Sequence, residues 1–314
     1  MTIPVVDLAD FTSGDPVRKK SFVETLGKAF EDVGFVAVKN HGIPGELIAD
    51  LYNDVQQFFS LPADKKKHFE IPELAGQRGY TSFGKEHAKG SDAPDLKEFF
   101  QYGQVVSSDH KLKQEYPDNV KVEEIAGFDE TLYKAYRAFE KSGKFLLQAI
   151  ALYLGLDENF FDEYVEEGNS IVRAIHYPPI THEPKSAIRA EQHEDINLIT
   201  LLVGASADGL QILTKNNEWI GVTSLPDQIV VNVGDMLQRL TNSRLKSTTH
   251  RVVNPPRDLW HTSRFSIPFF LHPKSAMSLT ALESCIDEKH EKAYEDITAG
   301  EYLDERLREI GLKK

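Results

Sequence analysis

In "EQHEDINLIT", residues 191–200, His193 and Asp195 stand one residue apart just ahead of a strongly apolar run. Residues two apart in an extended chain project from the same face, so an imidazole and a carboxylate would sit side by side. With a second imidazole they form a set suited to redox-active Fe(II). Two histidines and one carboxylate take one face of an octahedron and leave three positions open. Alone, such a pair is more often a polar strand end facing water. A third ligand has to come from a distant strand, and the β-rich half of the chain offers His176, His193, His250 and His261, with His272 at its end. His250, in "LKSTTHRVVNP", directly precedes a β-run, 55 positions after Asp195. That separation fits strands folded back on one another. His176 and His261 read as surface residues or as neighbours of the site.

A second pair lies in "RFSI", where Arg264 and Ser266 share a strand face. A guanidinium beside a hydroxyl inside an apolar barrel can hold a carboxylate. A buried arginine without an anionic partner is costly, and either a bound organic acid or an acidic side chain of the fold could be that partner. Asn197 has the same strand parity as the metal pair and is a candidate pocket residue; a solvent-facing position is the alternative. The aromatic pairs Phe99-Phe100 and Phe160-Phe161 read as packing, and Cys285 as a passive side chain beyond the core.

The elements that must position these groups are mixed. Asp15-Pro16 forms a helix start, Phe22, Leu26, Ala29 and Phe30 recur at helical spacing, and Gly34 is placed to end that helix. Pro44 opens a second helix with Leu47, Leu51, Val55, Phe58 and Phe59 on one face. Residues 72–95 read as irregular loop, Asp129 to about Leu154 as a long helix, and a shorter helix starts at Asp157. Beyond Gly168 short β-runs follow at 171–177, 193–203, 209–213, 218–222, 228–233, about 247–253 and 264–271. Runs at this spacing suggest a sandwich or barrel rather than a parallel sheet. A last helix carries Tyr302, Leu303, Leu307 and Ile310. The fold class expected is mixed α+β, with helices around a β-core from about 170 to 272.

Composition narrows the function. At 314 residues, 40% hydrophobic and 27% charged, the chain has ample material for a buried core. A net charge of −13 argues against binding nucleic acid, which needs basic surface. No run approaches the ~20 apolar residues that span a bilayer, so no membrane partner is expected. "MTIPVVDLADF" lacks the layout of a secretory signal, and a single cysteine excludes a disulfide framework and multi-cysteine metal sites. A cytoplasmic location is the resulting expectation.

Taken together, "IPVVDL", "AFEDVGFVAVKNHGIP" and "DLKEFF" at the front, with "HED", "THRVVNP" and "RFS" at the back, resemble the isopenicillin N synthase-like branch of the Fe(II)/2-oxoglutarate-dependent dioxygenases over nearly the whole chain. The resemblance implies a double-stranded β-helix, or jelly-roll, at 169–274. Residues 1–168 would form a mixed α/β and helical amino-terminal region, and 275–314 a helical segment packed on the core. It implies Fe(II) on His193, Asp195 and His250, and the distal carboxylate of 2-oxoglutarate on Arg264 and Ser266. Tyr177, in "HYPP", matches a tyrosine-proline stretch that helps bind that carboxylate; the position before it, usually tyrosine or arginine in relatives, is His176 here. The implied reaction uses O2 and 2-oxoglutarate to hydroxylate, desaturate or cyclise a small organic molecule, giving succinate and CO2. An isopenicillin N synthase-like oxidase without 2-oxoglutarate, and a non-catalytic jelly-roll binding module, are the alternatives. "RVVNPPRDLWHTS" is a few residues longer than the family's usual interval, which is expected to lengthen a loop; a shifted register would instead turn Arg264 away.

Overall fold

In the computed structural model, which describes residues 3–86, 93–204, 207–223 and 225–309, aspartate side chains cap the first two helices. Strand β1 (Val5–Asp7) runs into a single turn, α1 (Leu8–Phe11), where Asp7 accepts a hydrogen bond from the Ala9 N–H. The Asp15 carboxylate accepts from the N–H groups of Val17 and Arg18 and starts α2 (Pro16–Asp32). Gly34, at φ +75°, ends that helix and leads into β2 (Phe35–Lys39). Helices α3 (Gly45–Phe59) and α4 (Ala63–Lys67) follow, then β3 (Gly79–Thr81), β4 (Glu98–Gly103), the long α5 (Phe128–Tyr153) and the one-turn α6 (Asp162–Val165).

The carboxy-terminal half contributes β5 (Ile171–Tyr177), β6 (Ala190–His193), β7 (Ile199–Val203), β8 (Leu210–Leu213), β9 (Trp219–Gly221) and β10 (Gln228–Val233). Helix α7 (Asp235–Leu240), β11 (His250–Val252), β12 (Arg264–Leu271) and α8 (Ala299–Glu309) complete it, and Ile310 lies outside the described residues. No described helix is long and apolar enough to cross a membrane.

Two sheets face each other. The larger has the order β1-β2-β10-β7-β12-β5-β4-β3, the smaller β6-β11-β8-β9. One face of the large sheet packs on α5, where Phe139 stacks on Phe269 with ring centres 5.3 Å apart. Phe35, Ala37, Leu210, Ile212 and Val230 fill part of the space between the sheets. Each fully buried phenylalanine contributes on the order of 2–3 kcal/mol to this packing. At Gly143 an added Cβ would lie 2.2 Å from Leu271 Cδ1, so a larger residue there would have to displace that buried side chain between α5 and β12. Gly143→Val is expected to cost about 2–3 kcal/mol, read as a lower denaturant midpoint at unchanged slope.

Three expectations need correction. The β-core does not begin at 170: strands β1 to β4 join the large sheet, and β3 lies within the stretch read as irregular loop, of which 87–92 are outside the described residues. The run 193–203 is not one strand. It breaks after His193 because β6 belongs to the small sheet and β7 to the large one. Asp195 therefore sits in the turn beyond β6. The helix expected from Asp157 is only the single turn α6, preceded by turns.

Candidate metal centre

β6 and β11 pair antiparallel with His193 opposite His250, and their rings lie 4.4 Å apart. The turn after β6 brings Asp195 under both. Its Oδ1 is 3.9 Å from His193 Nε2 and 3.7 Å from His250 Nε2, too far for hydrogen bonds. One ion about 2 Å from each donor could bridge all three. Among the described residues this is the one group of three or more such side chains close enough to share an ion.

Backbone contacts set the imidazole tautomers. His193 Nδ1 lies 2.6 Å from the Glu191 carbonyl, and His250 Nδ1 3.1 Å from the Thr248 carbonyl. A carbonyl only accepts, so each Nδ1 carries the proton and each Nε2 presents a lone pair to the centre. Withdrawal from water, then the neighbouring His250, pull the pKa of His193 down to about 4, so the ring is neutral near pH 7. Burial acts to raise the pKa of Asp195, but His250 and His193, with hydrogen bonds from Asn232 and Thr200, outweigh it and hold the carboxyl below its usual range.

The turn holding Asp195 is fixed from outside. Asp235 N–H donates to the Asp195 carbonyl at 2.9 Å, and Met236 N–H to that of Asn197 at 3.1 Å. A Cβ on Gly234 would lie 2.2 Å from the Asn197 carbonyl oxygen, so glycine permits this close approach. Asp195 Oδ2 accepts from Thr200 Oγ1 at 2.7 Å and from Asn232 Nδ2 at 2.8 Å, which leaves Oδ1 for an ion. Asn197, expected at the pocket, is instead wholly buried and donates to Thr200 Oγ1 at 2.8 Å, bracing the brace. Thr200→Val is expected to weaken Fe(II) binding about 10- to 100-fold in an equilibrium metal titration, with the fold retained.

Arg264 opens β12 opposite Tyr177 of β5, so the longer segment before it has not shifted the register. That segment instead forms a short 3₁₀ turn at Arg257–Leu259 outside the strands. Arg264 is 1% exposed; its Nε donates to the Ala207 carbonyl at 3.0 Å and its Nη1 has no partner among the described residues. A cavity of about 80 Å³ runs from Tyr177, Arg264 and Ser266 to His193, Asp195 and His250. An unpartnered, buried guanidinium N–H at one end and an open donor set at the other match a 2-oxo dicarboxylate such as 2-oxoglutarate.

A larger cavity, about 540 Å³, also reaches the centre and shares His193 and Asp195 with the smaller one. Arg173, Lys97, Glu86, Arg239, Tyr302 and Arg306 are among its lining residues. Lys97 Nζ lies 2.9 Å from Glu86 and 2.7 Å from Asp95; Arg173 Nη1 lies 3.2 Å from Glu86. Burial alone would raise the pKa of Glu86, but Arg173 and Lys97 hold it at about 2. Sequence reasoning missed these groups. Arg173 carried a signal, as a lone cation with the strand parity of Tyr177; Lys97 and Glu86 carried none.

His176 is neither at the surface nor beside the metal. It lies on the opposite face of β5, with Nδ1 2.7 Å from Glu98 Oε1 and its ring stacked on Phe265 at 4.7 Å. His261 is exposed, as expected.

Residues 3–124 match the family described as non-haem dioxygenase in morphine synthesis N-terminal, and residues 168–273 match the 2OG-Fe(II) oxygenase superfamily. A 2-oxoglutarate-Fe(II) type oxidoreductase of Metarhizium rileyi is 32% identical over 323 residues, covering 97% of this chain and 90% of the relative. A proline hydroxylase of Petromyces alliaceus is 33% identical over 323 residues, covering 98% and 99%. Among solved structures, a 2OG-Fe(II) oxygenase family protein from Caulobacter crescentus superposes with a TM-score of 0.89 at 38% identity, covering 98% of this chain and 99% of that one. A Neurospora crassa protein in complex with alpha-KG (2-oxoglutarate) and thymine gives a TM-score of 0.86 at 31% identity, covering 98% and 96%. These likenesses favour 2-oxoglutarate use over the oxidase and binding-module readings. The chain belongs to the Fe(II)/2-oxoglutarate-dependent oxygenase superfamily and is an oxidoreductase with a jelly-roll core, dependent on Fe(II), 2-oxoglutarate and O2.

Proposed function

We propose that His193, Asp195 and His250 hold the Fe(II), that Arg264, Ser266 and Tyr177 receive the distal carboxylate of 2-oxoglutarate, and that the 540 Å³ cavity takes a small polar organic substrate for hydroxylation. The observation that carries this reading is the position of the triad, whose His193 and Asp195 line both cavities. Bound Fe(II) and 2-oxoglutarate supply O2 activation, with oxidative decarboxylation to succinate and CO2 driving attack on a C–H bond. The chain's own residues do the rest. Thr200 and Asn232 orient the carboxylate of Asp195, and the backbone carbonyls of Glu191 and Thr248 orient the imidazoles. Arg264 anchors the cosubstrate, and the walls of the large cavity exclude water and place the substrate.

The size of that cavity is ordinary for a small-molecule site, and its buried ion pairs offer both donors and acceptors. Similar proteins support the class: the Neurospora crassa protein was solved with thymine and with 5-formyluracil, and the Petromyces alliaceus relative is named a proline hydroxylase. The net charge of −13 favours such a substrate over nucleic acid. In this reading residues 169–274 are the catalytic core, with 1–168 and 275–314 adding walls. The lone cysteine, buried Cys285, supports a reducing cytoplasm.

The test is to add panels of polar heterocycles and amino acids to the Fe(II)-loaded enzyme with 2-oxoglutarate in aerated buffer and measure succinate and an oxygenated product together. One class is expected to stimulate both in equal amounts. Stimulation by peptides or nucleic acid alone would contradict the reading.

A further inference from the structure

Arg189 stands immediately before β6 and is 1% exposed, as deeply buried as Arg264. Its guanidinium carbon lies 5.9 Å from the centre of the Tyr177 ring, and that of Arg264 lies 5.0 Å from the same ring. Two buried cations thus converge on one phenol. Their partners among the described residues are uncharged: Arg189 Nη2 donates to the Thr262 carbonyl at 3.1 Å, and Arg264 Nε to the Ala207 carbonyl at 3.0 Å. Among the described residues, arginine ion pairs are made by Arg18, Arg137, Arg173, Arg244, Arg257 and Arg306, and by neither of these two. Arg189 Nε and Arg264 Nη1 are both buried without an acceptor among the described residues. Burial, then the charge of Arg264, depress the pKa of Arg189 to about 10. The next residue, Ala190, lines the 80 Å³ cavity with Tyr177 and Arg264.

Two like charges removed from water, each with an idle N–H, call for a shared anion. A carboxylate is small, planar and able to accept from both guanidinium groups at once. We propose that Arg189 is a second cation for the distal carboxylate of 2-oxoglutarate, binding it with Arg264 beside the Tyr177 ring. This rests on the reading of the small cavity as the cosubstrate site. A double cationic end explains how the site would select a dicarboxylate over a 2-oxo acid that lacks the distal group.

The experiment is anaerobic titration of the Fe(II)-loaded full chain with 2-oxoglutarate and, separately, with 2-oxobutyrate, which has no distal carboxylate. Arg189→Gln is expected to weaken 2-oxoglutarate about tenfold and to leave 2-oxobutyrate within about twofold, with Arg189→Lys recovering only part of the loss and remaining about threefold weaker than the native chain. Equal weakening of both acids would mean that Arg189 only packs against Tyr177, and no change in either would mean that it does not reach the ligand; both results overturn the proposal. Arg264→Gln runs alongside. If it too leaves 2-oxoglutarate affinity unchanged, the cosubstrate reading itself fails, whereas an effect of Arg264→Gln alone removes only the role of Arg189. Should Arg189→Gln not fold, Arg189→Lys keeps the charge without the planar fork. It is then expected to shift the ratio of the two affinities about threefold against 2-oxoglutarate, and an unchanged ratio overturns the proposal.

Discussion

Asp195→Ala is expected to yield a folded chain that neither retains Fe(II) nor releases succinate. Asp195 supplies the only negative charge in the donor set, and its Oδ1 stands within 4 Å of both Nε2 atoms. Replacing a group that merely orients a ligand typically costs 10- to 100-fold in metal affinity, so losing the ligand is expected to cost at least about a thousandfold. The fold should tolerate the change. Thr200 Oγ1 and Asn232 Nδ2 lose their acceptor, at about 1–3 kcal/mol each, but a buried carboxylate is also removed. Metal content after dialysis and succinate release check this. Normal iron retention with normal turnover would remove Asp195 from the centre.

Arg264→Met is expected to raise the dissociation constant for 2-oxoglutarate about 100-fold or more, since charge-assisted hydrogen bonds contribute about 1.5–3 kcal/mol each. Its effect on stability should have the opposite sign from that of an ordinary core mutation. Without cosubstrate, Arg264 is a buried guanidinium with an idle Nη1 and no acidic partner among the described residues. Methionine fills similar volume without that desolvation cost, so the ligand-free melting temperature should not fall. The stabilisation that 2-oxoglutarate confers should vanish. Melting curves with and without 2-oxoglutarate decide it. A large drop in the ligand-free melting temperature, with ligand stabilisation retained, would make Arg264 structural.

Much of the architecture was legible because its signals are local. The ends of β5, β10 and β12 coincide with the apolar runs expected at 171–177, 228–233 and 264–271, and Asp15-Pro16 starts α2. The triad and the Arg264–Ser266 pair were legible through resemblance and strand parity. β4 was not, because "EFFQYG" is buried on every residue and shows no alternation. Nor was the break after His193, which is pinned by N–H groups of Asp235 and Met236, some forty residues downstream. Asn197 shared the expected parity only while 193–203 was taken as one strand. Once the chain changes sheets after His193, that parity no longer describes it, and the side chain turns to Thr200. Arg189, Lys97 and Glu86 acquire meaning only from partners distant in sequence.

The central claim is that the triad and the Tyr177–Arg264–Ser266 end form one site. It is tested most directly by adding Fe(II) and then 2-oxoglutarate anaerobically while following the visible spectrum. A weak charge-transfer band that requires both components, and is absent in Asp195→Ala, is the expected result. Metal binding with no such band, or a band that persists in Asp195→Ala, would contradict it.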